Sequence, residues 1–389
     1  MDDMGSGRED GFRAGTILGP YKLIARLGTG GMAEVYLGQK QGGHVARPVA
    51  IKRMRPELTT NPEFVGLFLE EAKTAALLSH PNICAIYDLE QIDESYLMTM
   101  EYLEGIPLST AMIRAFQEPK LLPVSFICGI IAQACEGIHH AHDLCDGDGT
   151  PYGIIHRDVS PPNLFVTSEG VVKVLDFGIS KSRNSLVRTM TGQIRGKFSY
   201  MSPEQLRGEV LDRRSDVFAL GIVLFEMLAA RRLFRRRNRL NIFHAIVRDP
   251  IPSIKEYRAD LPPALAAVVK KALSRSRSGR YASAREMGDA LVSACEKNCA
   301  VMDARGIAEI TNRYFGTEIA ATRELVAQGS DHGGIQRADA ANGTPTAGTT
   351  PDWLDTNGVT AGVTLVESTD IEEELPQTQT PGTAIRNDE

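Results

Sequence analysis

No stretch of this sequence is long and apolar enough to span a bilayer. The longest apolar run, VFALGIVLFEMLAA at 217–230, carries Glu226 and falls short of the roughly 20 residues that a spanning helix needs. The N-terminal MDDMGSGREDGF has no apolar core of the kind that marks a secretory leader. Cysteine is also thinly used. Cys84, Cys128, Cys135, Cys145, Cys295 and Cys299 include no CxxC pair and sit in apolar or helical surroundings, which reads as buried reduced thiols rather than disulfides or a zinc site. Charge of one sign is scarce too: a formal net charge of -6 over 389 residues creates no global field for nucleic acid or an anionic membrane. There is no internal repeat and no recognisable sensor domain. These absences leave a cytoplasmic globular protein with no membrane span and no nucleic-acid partner. A hydrophobic fraction of 42% suffices for one large core or two moderate ones.

Composition changes along the chain. Residues 1–17 are Gly- and charge-rich and read as a flexible N-terminus. From Tyr21 to about Gln91, short β-branched runs (YKLIARL, AEVYLGQ, PVAIKRM, ICAIYDL, SYLMTMEYL) flank one helical pattern and predict a small sheet with a helix. From about Pro123 to Lys297 helical periodicity dominates. Residues 298–328 read as one or two more amphipathic helices, with Ile307, Ile310, Tyr314 and Phe315 apolar. Beyond Gly329 the chain is rich in Gly, Thr, Pro and acids, too poor in large apolar residues to offset its ordering entropy, and is expected to be disordered.

Four segments carry chemistry. LGTGGMAEVYL (27–37) holds glycines between two strand-like runs. A dinucleotide site would need a helix there, so this is a strand-turn-strand flap, suited either to covering phosphates with backbone N–H groups or to a structural hairpin. PVAIKRM (48–54) is a strand with one central cation, Lys52. In the following helix, positions 64, 68, 71, 75 and 78 fall on one face by steps of four and three; four are apolar and the fifth is Glu71. A carboxylate on a buried face requires a partner, and Lys52 is the nearest candidate, whereas Glu70 points to solvent. Asn61 and Pro62 supply a cap and an N1 proline. Finally IIHRDVSPPNLF (154–165) places Asp158 and Asn163 five residues apart on a Pro-broken loop, and Asp176 in VLDFGIS follows Asn163 by thirteen. Two carboxylates and an amide beside a phosphate flap are hard oxygen ligands of the type Mg²⁺ requires.

With YMSPE (200–204) and SDVFALG (215–221) following in order, the sequence resembles the bacterial eukaryotic-like (Hanks-type) Ser/Thr protein kinases over roughly Tyr21 to Lys297. The resemblance implies an α+β, bilobal protein-kinase fold spanning 18–297, with a small β-rich N-lobe (about 18–103) and a larger helical C-lobe (about 104–297). A helical extension (298–328) and a disordered Thr/Pro/acidic tail (329–389) come after it. It implies ATP with Mg²⁺ or Mn²⁺ as cofactors and protein substrates as partners. Gly28, Gly30 and Gly31 become the phosphate flap, with Ala33 in place of the family's third glycine. Lys52 would hold the α- and β-phosphates and pair with Glu71. Met100 becomes the gatekeeper, the backbone of Glu101 and Leu103 contacts adenine, and Leu27, Val35, Ala50 and Ser160 complete the nucleotide contacts. Asp158 would accept the substrate hydroxyl proton, and Asn163 and Asp176 would bind the metals. Glu204 would pair with Arg280 structurally, Asp216 would anchor the loop around His156 and Arg157, and Thr189 and Thr191 become the activating phosphosites.

Two departures stand out against that family. Ser160 occupies the position of a lysine that contacts the γ-phosphate, and Lys197 replaces a threonine that bonds the catalytic Asp and that same lysine. The two positions are neighbours in the family's fold, so a relocated cation is expected, with Lys197 reaching over Ser160 toward Asp158. The alternative is a pseudokinase scaffold that binds nucleotide or a partner without turnover. Tyrosine specificity is a weaker variant, because the absent lysine is one of the usual Ser/Thr markers. RRLFRRRNR (231–239) reads as a solvated basic loop before it reads as a dock for acidic substrates. DGDGTPYG (146–153) lacks the remaining ligands of an EF-hand and reads as a β-turn insertion. Threonines beside Pro and acids in the tail offer a site for phosphothreonine-reading domains, with an inert linker as the plain alternative.

Overall fold

The computed structural model describes residues 15–41, 47–118, 122–178, 197–236, 238–295 and 300–331, without the side chains of Lys197 and residues 328–331. The expected phosphosites Thr189 and Thr191, Cys299, residues 1–14 and the chain from 332 onward lie outside the described residues.

The N-terminal lobe is an antiparallel six-stranded sheet. Its strands are β1 (Ile17–Leu18), β2 (Tyr21–Thr29), β3 (Ala33–Lys40), β4 (Pro48–Met54), β5 (Ile86–Ile92) and β6 (Ser95–Glu101), in the order β1-β2-β3-β4-β6-β5. Register assigns each face its task. Tyr36, Val49, Ile51 and Leu97 close one apolar cluster, while the alternate residues Val35, Leu37 and Ala50 belong to a second. A period of two is what separates them. Between β4 and β5 run a short α1 (Pro56–Thr59) and then α2 (Pro62–Ala76). Asn61 caps α2 by accepting from the Glu63 N–H at 3.0 Å, and Pro62 opens it, as the sequence led one to expect. Its buried residues are Phe68, Glu71, Ala72 and Ala75, while Glu70 is exposed.

ICAIYDL does not extend as one strand. β5 begins at Ile86, and Ile83 and Cys84 turn away to meet the other lobe: the Cys84 N–H donates to Val174 O at 3.0 Å and the Val174 N–H to Asn82 O at 2.9 Å. These residues satisfy their backbone across the lobe junction rather than within the sheet.

The second lobe contains a three-stranded sheet, β7 (Gly105–Pro107), β8 (Leu164–Thr167) and β9 (Val172–Val174), in sequence order. Its helices are α3 (Leu108–Gln117), α4 (Val124–His142), α5 (Pro203–Leu206), α6 (Arg214–Ala229), α7 (Arg239–Val247), α8 (Pro263–Ala272), α9 (Ala284–Cys295) and α10 (Ala304–Asp331). The apolar run at 217–230 is α6, buried on every side from Ser215 to Leu228, and it is the axis around which the large core is built. Glu226 within it is fully buried and satisfied by the Tyr200 hydroxyl, the Arg232 guanidinium and the Leu233 N–H. The lobes join at Gly105, where a Cβ would lie 2.1 Å from Val166 O, so only glycine lets β7 enter the second sheet here. Among the described cysteines, all free, Cys84, Cys128, Cys135 and Cys295 are buried as expected. Cys145 is not: it lies exposed in the turn that pairs with Pro151.

Candidate active site

Lys52 enters the cleft from β4 because its register partners, Val35 on β3 and Met98 on β6, hold it on the sheet face that turns toward the second lobe. Its Nζ donates to Glu71 Oε1 at 2.7 Å and to Asp176 Oδ1 at 2.8 Å, and Lys52 and Glu71 are both buried. The charge that the helical period left on an apolar face therefore has a partner. Burial opposes the Lys52 cation, but Asp176 and Glu71 together outweigh it and hold its pKa above the ordinary lysine value. Burial raises the Glu71 carboxyl despite the attraction of Lys52. Lys52 is thus a fixed cation between the lobes.

Asp158 and Asn163 lie on the loop after α4. Asn163 Nδ2 donates to Asp158 O at 2.9 Å and to Asp158 Oδ2 at 3.1 Å, which orients its amide oxygen away from Asp158. The loop is held from beneath by Asp216. Its Oδ2 accepts from the His156 N–H at 2.8 Å and lies 2.8 Å from His142 Nε2, and its Oδ1 accepts from the Arg157 N–H at 2.9 Å. Arg157 has φ 63°, a left-handed conformation costly for a side-chain-bearing residue, and its backbone is fixed on both sides: Asp216 takes its N–H and Gln205 Nε2 donates to its carbonyl at 2.9 Å. Burial works against ionisation of Asp216, yet His142 and the loop's own donors bring its pKa below the ordinary carboxylate range. Asp176 also has a left-handed backbone, φ 47°, and Gly178 beyond it packs so near Asp158 that a Cβ would lie 2.9 Å from the Asp158 Cβ.

Glu204 and Arg280 form a buried bidentate pair at 2.6 and 2.8 Å, and Glu204 also accepts from the Ser215 hydroxyl at 2.7 Å. The remaining Arg280 donors reach carbonyls of Ser274, Arg214 and Arg275. Arg280 overcomes the cost of burial and holds Glu204 below the usual carboxylate range. The capping box of Ser202 and Gln205 on α5 fixes this corner under the Arg157 loop.

Above Asp176 a narrow cavity of ≈ 60 Å³ runs between the sheet and the second lobe. Leu27, Val35, Ala50, Met100 and Leu103 line it, together with Lys52, Glu71, Glu101 and Asp176. Its walls also include residues to which the sequence assigned no role in a site, among them Cys84, Phe177 and Thr322 of α10. The side chain of Glu101 is engaged elsewhere, accepting from Lys173 Nζ at 2.7 Å. Gly28 and Gly30 lie at the β2–β3 turn, where the Gly30 N–H donates to Ala33 O at 2.7 Å. Ala33 is buried with Met54, Phe68 and Met98, so its methyl fills core space where a glycine would leave a void. Gly31 needs no left-handed backbone, and a Cβ there would meet nothing within 4 Å.

Ser160 departs from the expected nucleotide contact. It is buried, and its hydroxyl donates to Asp158 O at 3.3 Å within its own loop. Its extended backbone, φ −159° and ψ 161°, turns the side chain inward, and it does not line the cavity. Lys197 opens a 3-10 turn, Lys197–Tyr200, and its side chain is outside the described residues.

Among the described residues no three His, Cys, Asp or Glu side chains gather as a metal cluster. The oxygen donors Asn163 and Asp176 fit a cation that draws the rest of its shell from phosphate and water, the habit of Mg²⁺.

A family model for the protein kinase domain matches residues 21–291. Among curated proteins, the chain is 40% identical over 301 residues to the Tyrosine-protein kinase MasK of Myxococcus xanthus, covering 77% of this chain and 47% of that protein. It is 38% identical over 276 residues to the Serine/threonine-protein kinase PknB of Mycolicibacterium smegmatis, covering 69% and 41%. It is 35% identical over 271 residues to PrkC of Bacillus subtilis, covering 70% and 40%. The chain thus spans less than half the length of these curated relatives. Among solved structures, the PknI kinase domain of Mycobacterium tuberculosis aligns over 73% of this chain and 100% of its own, with 28% identity and a TM-score of 0.56.

Proposed function

The chain belongs to the protein kinase family, and from that premise we propose that it transfers the γ-phosphoryl group of ATP to Ser or Thr hydroxyls of proteins. The observation that carries this reading is Lys52 held at once by Glu71 and Asp176, 2.7 and 2.8 Å away, in a chain whose Asn163 in turn holds Asp158 at 3.1 Å. A fixed cation and a preorganised carboxylate, with no reorganisation needed at the moment of reaction, are what a phosphoryl transfer dominated by positioning and electrostatics demands.

Lys52 holds the α- and β-phosphates. The Gly28–Gly31 turn lies over them with its backbone N–H groups, and the open space around Gly31 favours that use over a purely structural turn. Leu27, Val35, Ala50 and Met100 take the adenine. Asn163 and Asp176 would hold Mg²⁺ or Mn²⁺, which when bound would supply positive charge to the phosphates. Asp158 accepts the proton of the incoming hydroxyl, kept in place by Asn163 and by the loop that Asp216 anchors. Lys197 supplies the cation that Ser160 lacks. Phosphorylation of Thr189 or Thr191 switches the enzyme on. Residues 18–297 form the catalytic domain, 298–328 its extension, and the tail threonines recruit phosphothreonine-reading domains. Among the described residues no helix is long and apolar enough to cross a membrane. The proposed reaction belongs in the cytoplasm, where ATP is.

A second reading concerns the acceptor. MasK is named a tyrosine kinase, and this chain shares with such a reading the absence of lysine at position 160. Incubation with radiolabelled ATP and Mg²⁺, followed by phosphoamino-acid separation, tests both. Labelled phosphoserine or phosphothreonine is expected. Phosphotyrosine alone would overturn the acceptor assignment, and no label on the chain or on added protein would leave the pseudokinase alternative standing.

A further inference from the structure

Helix α10 lies beyond the 21–291 span matched by the family, yet it reaches the nucleotide slot. Its first half is built into the second lobe: Ile307 and Phe315 are fully buried in the large core, and Gly170 approaches so closely that a Cβ would lie 1.8 Å from Ala304 O. At Phe315 the helix breaks, with φ −128° and ψ 16°. Arg114 of α3 holds the break. Its guanidinium lies 5.2 Å from the Phe315 ring centroid and donates to Tyr314 O and, at 2.6 Å, to Glu318 Oε1.

Past the break the helix changes partners. Thr322 lines the slot itself. Arg323 grips Glu104, between β6 and β7, at 2.6 and 3.1 Å, and Glu104 also accepts from the Ser168 hydroxyl at 2.9 Å. Leu325 and Val326 pack on the N-lobe cluster of Leu27, Val35, Leu37 and Ala50, of which Leu27, Val35 and Ala50 are also the ceiling of the slot. One helix therefore touches the second lobe, the link between lobes and the first lobe. Leu325 and Val326 are thus fastened to the ceiling beneath which a nucleotide would pass.

We propose that residues 317–327 of α10 are an outer wall of the nucleotide slot and set the rate at which nucleotide enters and leaves it. The proposal rests on the reading of the slot as a nucleotide site. Arg323 is largely exposed, so its pairing with Glu104 guides the helix more than it fastens it. The apolar contact of Leu325 and Val326 does the fastening, and because both are only half-buried it can release without disturbing the core below Ile319.

The test is stopped-flow binding of a fluorescent ADP analogue with Mg²⁺ to the full chain, to the double variant Leu325→Asp/Val326→Asp and to Thr322→Trp. Putting two carboxylates against the apolar ceiling detaches the upper helix. The dissociation rate should then rise at least about tenfold, the scale of losing two half-buried aliphatic side chains from one contact. An indole at 322 should weaken binding by a similar factor. Binding by the double variant alone, with none by the unaltered chain, would support the wall in its extreme form. Unaltered rates and affinity in both variants, beside normal binding by the unaltered chain, would overturn the proposal and leave the kinase reading intact. Failure of all three proteins to bind would overturn the nucleotide site itself, and the wall with it.

Discussion

Replacing Lys52 by Met removes one cation from between two carboxylates, and its effects on activity and on stability should differ in their pH dependence. Activity should fall by at least about 10², the scale of losing a preorganised electrostatic contact to the reacting phosphates. Stability is a different matter. Breaking a buried pair by deleting one partner costs about 3–5 kcal/mol if the other charge is stranded. Lys52 and Glu71 have side chains only 8% and 12% exposed, so the full penalty applies to an ionised Glu71, whereas Asp176, at 23%, keeps some solvent. Glu71 has an escape. Burial already raises its pKa with Lys52 present, and without Lys52 nothing nearby restrains the rise. A carboxyl whose folded pKa exceeds its unfolded one contributes stability that is present at low pH and is lost as pH climbs through the folded value. The Lys52→Met deficit should thus be largest near pH 8, a loss of about 10 °C in Tm or less, and should shrink toward pH 5.5. Thermal melts of both proteins across that range, beside a phosphate-transfer assay, test it. A deficit that is flat with pH, or that grows as pH falls, would refute the claim that Glu71 takes up a proton when Lys52 is gone.

Glu204→Ala strands the Arg280 guanidinium, whose side chain is 0% exposed, and should cost about 3–5 kcal/mol by urea denaturation at neutral pH. Because Glu204 titrates below the usual range, the stability it contributes is present above that range and lost as pH falls through its lowered pKa, so variant and parent should converge below about pH 4. Asp176→Asn should reduce turnover by at least about 10² and raise the Mg²⁺ concentration needed for half-maximal rate; an unchanged metal requirement would remove Asp176 from the metal site. Lys197→Ala should cost about 2–4 kcal/mol of transition-state stabilisation, and Ser160→Lys with Lys197→Thr should restore much of it, whereas Ser160→Lys alone sets two ammonium groups together and impairs turnover. Full kcat in Lys197→Ala would make that lysine a bystander. Mass spectrometry of active enzyme should find phosphate in the peptide bearing Thr189 and Thr191, and a doubly alanine-substituted chain that keeps its activity on added substrate would exclude both as the switch.

What the sequence disclosed and what it withheld divide along a physical line. Glu71 could be paired with Lys52 before any coordinates, because a helical period of 3.6 fixes which residues share a face and a buried carboxylate cannot stand alone. Asp158, Asn163 and Asp176 could be grouped from their spacing on Pro- and Gly-broken loops, and in the structure Asn163 bonds Asp158 while Asp176 bonds Lys52. The course of the chain between lobes was not legible. Ile83 and Cys84 look like the start of β5, since β-branched residues pack equally well on any sheet, and only the pairing with Val174 assigns them to the other lobe.

Ser160 illustrates a subtler limit. Its position in the loop suggests an exposed contact with nucleotide, but orientation is decided by one residue's φ and ψ, and an extended backbone there buries the hydroxyl against Asp158 O. Thr322 was hidden for the opposite reason. Nothing about a threonine on an amphipathic helix marks it as part of a slot formed far earlier in the chain, between Leu27 and Leu103 on one side and Asp176 on the other. The apolar residues of α10 do carry a usable signal. Ile307, Ile310, Phe315 and Ile319 account for burial in the second lobe, and Leu325 and Val326, about two turns past Ile319, are apolar residues that the second lobe's core does not include. An amphipathic helix whose apolar residues outrun one surface requires a second to cover, and Leu325 and Val326 find it in the ceiling over Lys52.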